Sequence, residues 1–494
     1  MLINLYDKCN NTYILFIEVY YNAHHLYCIF FIIIFPRILF IILFPELGGD
    51  YEIYTTVAEN ILNGCGVSLS NPLTDECVPH FGGNHGPGYP LFLSLVWSIF
   101  NHSDNSVRII QSIIYALSCL WLIRSTYILT QDKKVMIFIA ILLAFSPLLI
   151  AWPRYVQTET LSIAATIYLL AELILSVAIK RIRIISIGLA LIFATWIRLD
   201  NVFLVVPVAV TVIYIQGFRA GIIKGLLIAM IFSSSWGVWT ARNIVVELPS
   251  LIPSDMIMPD GSRSPTGYLK WTKTWITHEY ERPGALWGIN RKNYLGITIP
   301  ERAYGSLEEQ LEVNKLLEEL KILDQEDFPI KIDNKFAKIA SDKINNNPVQ
   351  YWITYPSIRA LRIWTNPFSS FGWPNEMPDK GLSKNERLAA ANGNISILIA
   401  KAQEYPIHAL SKGLNAFYRI ILMVLFAVSF ILLFKSKNKE HIYIIFLMTS
   451  SYIFSRTVFF SLNSNFETRY MVTTIPFIEL FVIISMLSFF YKRQ

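Results

Sequence analysis

Gly48-Gly49-Asp50-Tyr51-Glu52 begins, and His85-Gly86-Pro87-Gly88-Tyr89-Pro90 ends, a polar stretch that lies between two apolar runs at residues 26–44 and 91–100. Two carboxylates, two histidines and a group of glycines and prolines are therefore expected at the surface of a membrane. An ionisable group near the bilayer is costly unless it has a partner or a task. We therefore expect the chemistry of this protein in residues 48–90.

The composition is that of an integral membrane protein. The chain has 494 residues, of which 53% are hydrophobic and 16% are charged, whereas about a quarter of the residues in a soluble protein are charged. Several apolar runs approach the ~20 residues that span a bilayer. The net charge of +6 is a topology signal, because the basic residues lie at the ends of these runs. We therefore expect a multi-pass integral membrane protein and no nucleic-acid partner.

Eleven apolar runs occur, at residues 26–44, 90–100, 109–129, 135–151, 160–179, 184–197, 202–215, 225–245, 414–434, 442–462 and 471–490. Basic clusters, which mark the cytoplasmic side, lie at residues 133–134, 180–183, 219–224, 435–439 and 492–493. All clusters fall on one side if residues 90–100 form a re-entrant or surface segment. The sequence then predicts an all-α polytopic membrane protein with about ten transmembrane helices. The alternative is that residues 90–100 cross and that one basic cluster lies outside.

Three parts are expected along the chain. Residues 1–245 form a transmembrane module with a first external loop at residues 46–90, residues 246–411 form an external soluble domain, and residues 412–494 form the last transmembrane helices. The external domain should be mixed and mostly helical, because residues 306–323 and 334–345 have amphipathic helical spacing. In the first of these, the predicted apolar side consists of Leu307, Leu311, Leu316, Leu317 and Leu320. Residues 351–364 mix aromatics with arginines, as in a segment lying on lipid headgroups.

The ten-span topology brings charged residues from distant parts of the sequence to the outer face of the membrane. They are Asp50, Glu159, Arg198, Arg242 and Arg469. Acids and arginines gathered on one face indicate a site rather than five independent positions.

A set of short segments accompanies these charges. The segments are Gly49-Asp50, Gly86-Pro87-Gly88-Tyr89-Pro90-Leu91, Ser146-Pro147 with Glu159, Trp196-Ile197-Arg198, Trp239-Thr240-Ala241-Arg242-Asn243, and Arg469-Tyr470 with Pro476. In order and location they resemble the membrane glycosyltransferases of the C-type fold, most closely the protein-mannosyltransferase and lipid-A aminoarabinose-transferase group. The resemblance implies a polyprenyl-phosphate sugar as donor, inversion at the anomeric carbon and a location in the bacterial inner membrane. The chain departs from many members at His85-Gly86-Pro87, where they carry a basic residue or a second proline.

Sugar transfer from a lipid phosphate needs a base for the proton of the acceptor and cations for the leaving phosphate. A carboxylate can be the base, and partial burial improves it by raising its pKa. Arginine suits phosphate because its planar fork matches the oxygens. The candidate catalytic residues are Asp50, as the base, and Glu159. The candidate substrate-binding residues are His85, Tyr89, Arg154, Arg198, Arg242, Arg469 and Tyr470. The acceptor is left open between a protein, a glycan and a lipid.

Each assignment has a structural alternative. Asp50 could cap the helix that begins near Tyr51, and Glu159 could pair with Arg154. The other arginines could be anchors at the membrane interface, and His85 could be an ordinary loop residue.

No cofactor is identified from the sequence. No cysteine and histidine set has zinc spacing, although Asp50 and Glu159 could together hold a divalent metal whose identity carboxylates do not determine. Cys65 and Cys77 fall in the first external loop, where they could pair in an oxidising space or remain free thiols.

Two other classes of function compete with the enzyme. A transporter or flippase carries inverted repeats and charges near the middle of the membrane, whereas here no repeat is found and the charges noted lie at span ends. A non-catalytic scaffold would not need acids and arginines on one face. The positions of Asp50, Glu159 and Arg198 distinguish an enzyme from a transporter. In an enzyme these residues should lie close together in one cavity, and in a transporter they should line a path through the bilayer.

Overall fold

A computed structural model describes residues 27–70, 76–80, 86–248, 265–282, 285–286, 299–323, 328–366, 372–374, 386, 394–435, 439–464 and 466–490. Within these residues the regular structure is helical except for one two-stranded sheet. The expected all-α membrane architecture is thereby confirmed in outline.

The N-terminal half holds the helices α1 (Tyr27–Leu43), α2 (Tyr51–Leu62), α3 (Gly88–Phe100), α4 (Asp104–Thr130), α5 (Lys133–Phe145), α6 (Glu159–Ala178), α7 (Ile184–Ile197) and α8 (Val205–Val245). Short 3₁₀ helices precede α6 at Trp152–Arg154 and α8 at Leu199–Leu204. The strands β1 (Ser68–Ser70) and β2 (Cys77–Pro79) form an antiparallel hairpin after α2. A disulfide between Cys65 and Cys77 closes this hairpin, which resolves the choice between paired and free thiols.

The C-terminal half holds α9 (Thr266–Thr272), α10 (Leu307–Leu323), α11 (Ile330–Asn346), α12 (Tyr355–Thr365), α13 (Ile395–Glu404), α14 (Pro406–Lys435), α15 (Lys439–Ser461) and α16 (Ile475–Phe490). A π-helical turn at Gln350–Thr354 leads into α12, and 3₁₀ helices lie at Glu279–Glu281, Glu301–Ala303 and Thr468–Thr474.

Six helical segments of the described chain are long and apolar enough to cross a membrane, so this is an integral membrane protein. The segments are Asp104–Thr130, Glu159–Ala178, Leu199–Val245, Ala409–Phe434, Glu440–Ser461 and Thr468–Phe489. The helices α1, α3 and α7 are apolar but shorter. The figure of about ten spans stays a prediction.

The helix α6 lies at the centre of the bundle. Its apolar window is 89% buried inside the protein, against 22% for α14, and α4 and α7 both pack on it. A helix that is apolar on every side is typical of such a position. Glu159, the first residue of α6, is consequently carried into the interior of the protein.

The helix α8 reverses its direction at Gly217. This residue has φ 72° and ψ 172°, a conformation that is essentially restricted to glycine. A Cβ atom on Gly221 would lie 3.2 Å from the Cα of Ile213, whereas residues eight apart in a straight helix are about 12 Å apart. α8 therefore consists of two segments folded against each other, as the separate apolar runs at 202–215 and 225–245 predicted.

A second core, rich in aromatic side chains, holds together the described parts of the chain between residues 265 and 366. Trp271, Trp275 and Phe336 are fully buried in it, and Phe460 and Met471 from the end of the helix bundle join the same cluster. This region is therefore packed against the bundle. The predicted limits of the external domain, residues 246 and 411, stay a prediction.

The amphipathic helix expected at residues 306–323 is present as α10. The prediction of which residues form its buried apolar side is partly wrong. Leu307 and Leu311 are 71% and 63% exposed. The buried stripe is Val313, Leu316 and Leu320, spaced three and four residues apart, so that the contact with the core begins later in the helix than predicted.

Candidate functional site

Asp50 lies in the turn between α1 and α2. The turn uses Gly48, whose φ is 99° and whose missing Cβ leaves room for the side chain of Gln157. Asp50 occupies the N-cap position of α2, but its side chain makes no capping hydrogen bond. The carboxylate is therefore available for contacts across the site, and the capping alternative does not account for it.

Glu159 is placed beside Asp50 by the buried start of α6. It is 3% exposed, and its Oε1 accepts a hydrogen bond of 3.1 Å from Nη1 of Arg198. The same Nη1 donates to the hydroxyl of Thr158 at 3.0 Å. Since Arg198 follows the last residue of α7, this pair joins the ends of two neighbouring helices.

Arg469 connects the two acids. Its Nη2 lies 3.8 Å from Oδ2 of Asp50, and its Nη1 lies 3.7 Å from Oε1 of Glu159. Both distances exceed a normal hydrogen bond, so the contacts are electrostatic and leave N–H groups available to a ligand. The side chain of Arg469 is 27% exposed and that of Asp50 is 33% exposed, against 4% for Glu159. The accessible part of the cluster is thus Asp50 with Arg469.

The environment raises the pKa of the Asp50 carboxyl above its usual value. Burial is the main cause, Arg469 opposes it, and the charge of Glu159 adds to the rise while Arg198 lowers it. A carboxylate shifted in this direction is a better base near neutral pH than an exposed aspartate.

A second layer of charges holds Arg198 and Arg469 in place. Nε of Arg198 donates to Asp200 at 3.0 Å, and Asp200 in turn accepts a 2.6 Å hydrogen bond from Nη2 of Arg456. Arg456 is fully buried in α15 and also donates to the main-chain carbonyl of Tyr470. The ring of Tyr470 lies 5.7 Å from the guanidinium carbons of both Arg198 and Arg469.

The region after α9 contributes to this layer. Arg282 pairs with Glu467 at 2.8 Å, and Glu467 is also in contact with Nε of Arg469. Glu279 accepts a 3.0 Å hydrogen bond from the hydroxyl of Thr468. Burial and the neighbouring Glu467 raise the pKa of Glu279, whereas the pKa of Glu467 is lowered, because Arg469 and Arg282 outweigh its own burial. Residues 265–282 are therefore coupled to the site through charge.

The Gly-Pro-Gly segment allows α3 to approach the end of α7. A Cβ on Gly88 would lie 2.6 Å from the carbonyl carbon of Trp196, and one on Gly86, whose φ is 105°, would lie 2.9 Å from its oxygen. Tyr89 follows; its ring packs on Tyr54 at 5.1 Å, and its buried hydroxyl has no hydrogen-bond partner among the described residues. Glycine at these two positions thus lets the α3 backbone reach the segment that carries Arg198.

Both ends of α3 lie at the end of the bundle that carries this cluster, which we call the charged end. Gly88 contacts Trp196, two residues before Arg198. After α3 the chain enters α4, where Asp104 accepts a 2.9 Å hydrogen bond from Tyr51, the neighbour of Asp50. This is the geometry expected of a segment that does not cross the membrane.

Two of the expected substrate-binding arginines lie apart from the acids. Arg154 donates to the main-chain oxygens of Phe44 at 2.9 Å and Gly372 at 3.0 Å. Arg242 donates to the main-chain oxygens of His80 at 2.8 Å and Val67 at 2.5 Å. Both side chains thus bind main-chain carbonyls and stabilise the conformation of loops at the charged end. His85 lies outside the described residues.

Sequence reasoning missed three members of the cluster, which are Arg282, Arg456 and Glu467, and it placed Asp200 on the same face as Arg198 without assigning it a role. Arg456 had a usable signal, because an arginine inside an apolar run is costly without a partner. Glu467 stands two residues before Arg469 and could have been included with it. Arg282 had no such signal, since nothing local places it beside the last span.

Among the described residues, Asp50 and Glu159 do not belong to a group of three or more possible metal ligands. No three His, Cys, Asp or Glu side chains of the described chain are arranged to hold a metal, and Arg469 contacts both Asp50 and Glu159. The positive charge that a metal would supply to these acids is provided by a side chain.

Comparison of the chain with protein-family models, with curated proteins and with solved structures gave no match. The function is therefore argued from the geometry of the charged end.

Proposed function

We propose that the protein is an inverting glycosyltransferase that moves a sugar from a polyprenyl-phosphate donor to an acceptor. The observation that carries the proposal is the meeting of Asp50 and Glu159 at the guanidinium of Arg469, at 3.8 and 3.7 Å. A base and a cation in contact with each other, and both reachable from solvent, are what transfer from a lipid phosphate requires. The resemblance of the sequence to C-type membrane glycosyltransferases agrees with this function.

In the proposed reaction, the acceptor hydroxyl attacks the anomeric carbon from the side opposite the phosphate. The bond between the acceptor oxygen and the anomeric carbon forms while the bond between that carbon and the phosphate oxygen breaks, so the configuration inverts. Asp50 takes the proton of the hydroxyl, and the electron pair of the broken bond leaves with the polyprenyl phosphate. Glu159 fixes the orientation of Arg198 and balances the charge of Arg469.

Arg469 is the residue best suited to receive the donor phosphate. Its contacts with the two acids are long, and its side chain is partly exposed. Arg198 is 5% exposed and already donates to Thr158, Glu159 and Asp200, so its role is to hold the site together. The predicted ten-span topology puts this site on the non-cytoplasmic face, where a lipid-linked donor enters from the membrane.

A transporter is the second candidate, because not all charges lie at span ends. Arg37 of α1 and Glu479 of α16 are buried, as residues along a transport path can be. However, Arg37 donates to the carbonyls of Leu143 at 2.8 Å and Ala144 at 3.2 Å, which lie in the last turn of α5 and have no partner within that helix. Glu479 accepts from Ser146 at 2.6 Å. These contacts join helices to one another, so the enzyme is preferred.

The proposal is tested by incubating the purified protein with a panel of radiolabelled polyprenyl-phosphate sugars and a membrane extract as the acceptor source. We expect label from one donor to move to the protein, glycan or lipid fraction, and heat-inactivated protein to transfer none. A parallel assay follows the passage of the same donors across the membrane of sealed liposomes. Passage without transfer would support the transporter and contradict the enzyme.

A further inference from the structure

A groove between three helices opens on the outer surface of the bundle. It has a volume of about 430 Å³ and is formed by α4, α6 and α7. Ala165 of α6, which is 2% exposed, lies deep in it, and Leu117 and Leu189, which are 53% and 56% exposed, lie at its mouth. Its lining is almost entirely apolar, and its volume is in the range of small-molecule sites. A hydrocarbon chain therefore fits its chemistry.

Two arginines stand at one end of this groove: Arg124 lies in α4, and Arg183 directly precedes α7. The guanidinium carbon of Arg124 lies 5.6 Å from the ring centre of Trp121, and that of Arg183 lies 5.8 Å from the same ring. Trp121 itself lines the groove. The groove thus passes from apolar walls to a pair of positive charges at the end of the bundle that carries the basic clusters, which we call the basic end.

The two arginines differ in whether a carboxylate of the protein neutralises their charge. Arg183 forms an ion pair of 2.6 Å with Glu172, which also accepts a 2.7 Å hydrogen bond from Trp121. Arg124 is exposed, and among the described residues it has no carboxylate within ion-pair distance. It lies six residues before the end of α4. An unpaired arginine at that depth of an apolar helix is costly, and a phosphate of the lipid headgroups at the basic end is the anion within reach.

We propose that this groove binds one anionic phospholipid of the leaflet at the basic end. An acyl chain lies between α4 and α7 over Ala165, and the headgroup phosphate lies beside Trp121 between Arg124 and Arg183. Basic pockets between transmembrane helices are known to bind acidic lipid headgroups in this manner. The site is separate from the charged end, and the proposal is independent of the reaction at Asp50.

The test is native mass spectrometry of the protein released from nanodiscs of phosphatidylcholine mixed with phosphatidylglycerol. We expect the wild type to retain phosphatidylglycerol preferentially and Arg124→Gln to lose about fivefold of this preference, the effect of one basic residue near a membrane surface. Leu189→Trp, which fills the mouth of the groove and leaves both arginines in place, should reduce retention of either lipid.

The matched control is Arg219→Gln, which removes one exposed charge from another basic cluster. It should retain as much phosphatidylglycerol as the wild type. Arg124→Gln is chosen because its described contact is only the Trp121 ring, so the variant is expected to fold. Retention by Arg124→Gln equal to that of the control would overturn the proposal.

Discussion

Arg469 and Glu159 act on the Asp50 carboxyl in opposite directions. Arg469 lowers its pKa and Glu159 raises it, while burial sets the overall rise. A base works in its deprotonated form, so activity is lost as the pH falls through this pKa. We predict that Arg469→Gln moves the acidic limb of the pH profile of kcat/KM to higher pH, because the pKa of Asp50 rises further.

Glu159→Gln should move the same limb to lower pH, since the charge that raises the pKa of Asp50 is removed. Arg242→Gln is the control, because that arginine binds the carbonyls of Val67 and His80, and should leave the limb in place. Shifts of Arg469→Gln and Glu159→Gln in the same direction would show that Asp50 is not the titrating base.

Arg456 is predicted to stabilise the folded protein more than any exposed arginine. Its removal would take one of two arginine donors from Asp200, which also accepts from Arg198, and would remove the arginine donor of the Tyr470 carbonyl. Breaking a buried pair by removing one partner costs about 3–5 kcal/mol. Arg456→Ala should lower the free energy of unfolding in detergent by about this amount, and Arg456→Lys should restore part of it.

The comparison variant is Arg219→Ala, at an exposed position, which should change stability by no more than about 0.5 kcal/mol. If Arg456→Ala and Arg219→Ala have equal free energies of unfolding, the second layer of charges does not stabilise the site.

At the residue scale, the sequence identified the acids and arginines that stand at the ends of apolar runs, including Asp50, Glu159, Arg198 and Arg469. It did not identify Arg282 or Arg456. Arg456 reaches Asp200 across 256 positions of the chain, and only the packing of α15 against the segment after α7 brings the two together. The arginines at 154 and 242 were assigned to a substrate because nothing local revealed that their partners are loop carbonyls.

At the scale of elements, the reversal of α8 depends on a glycine. Gly217 has a φ of 72°, and a Cβ there would meet no atom within 4 Å, so the cost of a side chain is backbone strain alone. Gly217→Ala should lower the free energy of unfolding by about 1–3 kcal/mol. Circular dichroism or fluorescence during chemical unfolding in detergent would measure the change.

Gly225 is a matched control in the same helix. A Cβ there also has no atom within 4 Å, and its φ is not in the left-handed region. Gly225→Ala should raise stability by up to about 1 kcal/mol, because alanine is the better helix former. If Gly217→Ala is as stable as Gly225→Ala, the reversal of α8 does not depend on the glycine at position 217.

The positions of the helices could be predicted from the sequence better than the contacts between them. The two apolar runs of α8 were separated correctly because the residues between them carry Arg219 and Lys224, and α10 was located by its leucine spacing. The exposure of Leu307 and Leu311 was not foreseen, since spacing shows which side of a helix is apolar but not where the covering helices begin. The approach of α3 to Trp196 likewise follows from tertiary packing at two glycines.

At the scale of the whole molecule, α2 and α10 should face the same side of the membrane, and the basic clusters should face the other side. Single cysteines would be introduced at Glu59, Ser306 and Lys133, which are exposed, in a background without the cysteines at 9, 28 and 119. We predict that an impermeant maleimide added to right-side-out vesicles labels the first two and not the third.

Labelling of the cysteines at 59 and 306 from opposite sides would contradict the topology, since residues 265–282 could not then reach Glu467. The alternation of basic clusters predicted this topology from the sequence. What the sequence did not predict is that the region after α9 supplies Arg282 to the site, because that contact depends on the packing of residues 265–282 against the segment that contains Glu467.

The most direct test of the account is the rate of sugar transfer by Asp50→Asn. Asparagine keeps the size of the side chain and removes the base. Transfer should fall by about two to four orders of magnitude, the usual share of general base catalysis, with the fold and the donor affinity unchanged. Glu52→Gln, in the exposed first turn of the same helix, should transfer sugar at the wild-type rate. If Asp50→Asn retains more than about a tenth of the wild-type rate, well above the loss expected for a missing base, Asp50 is not the base and the central claim is wrong.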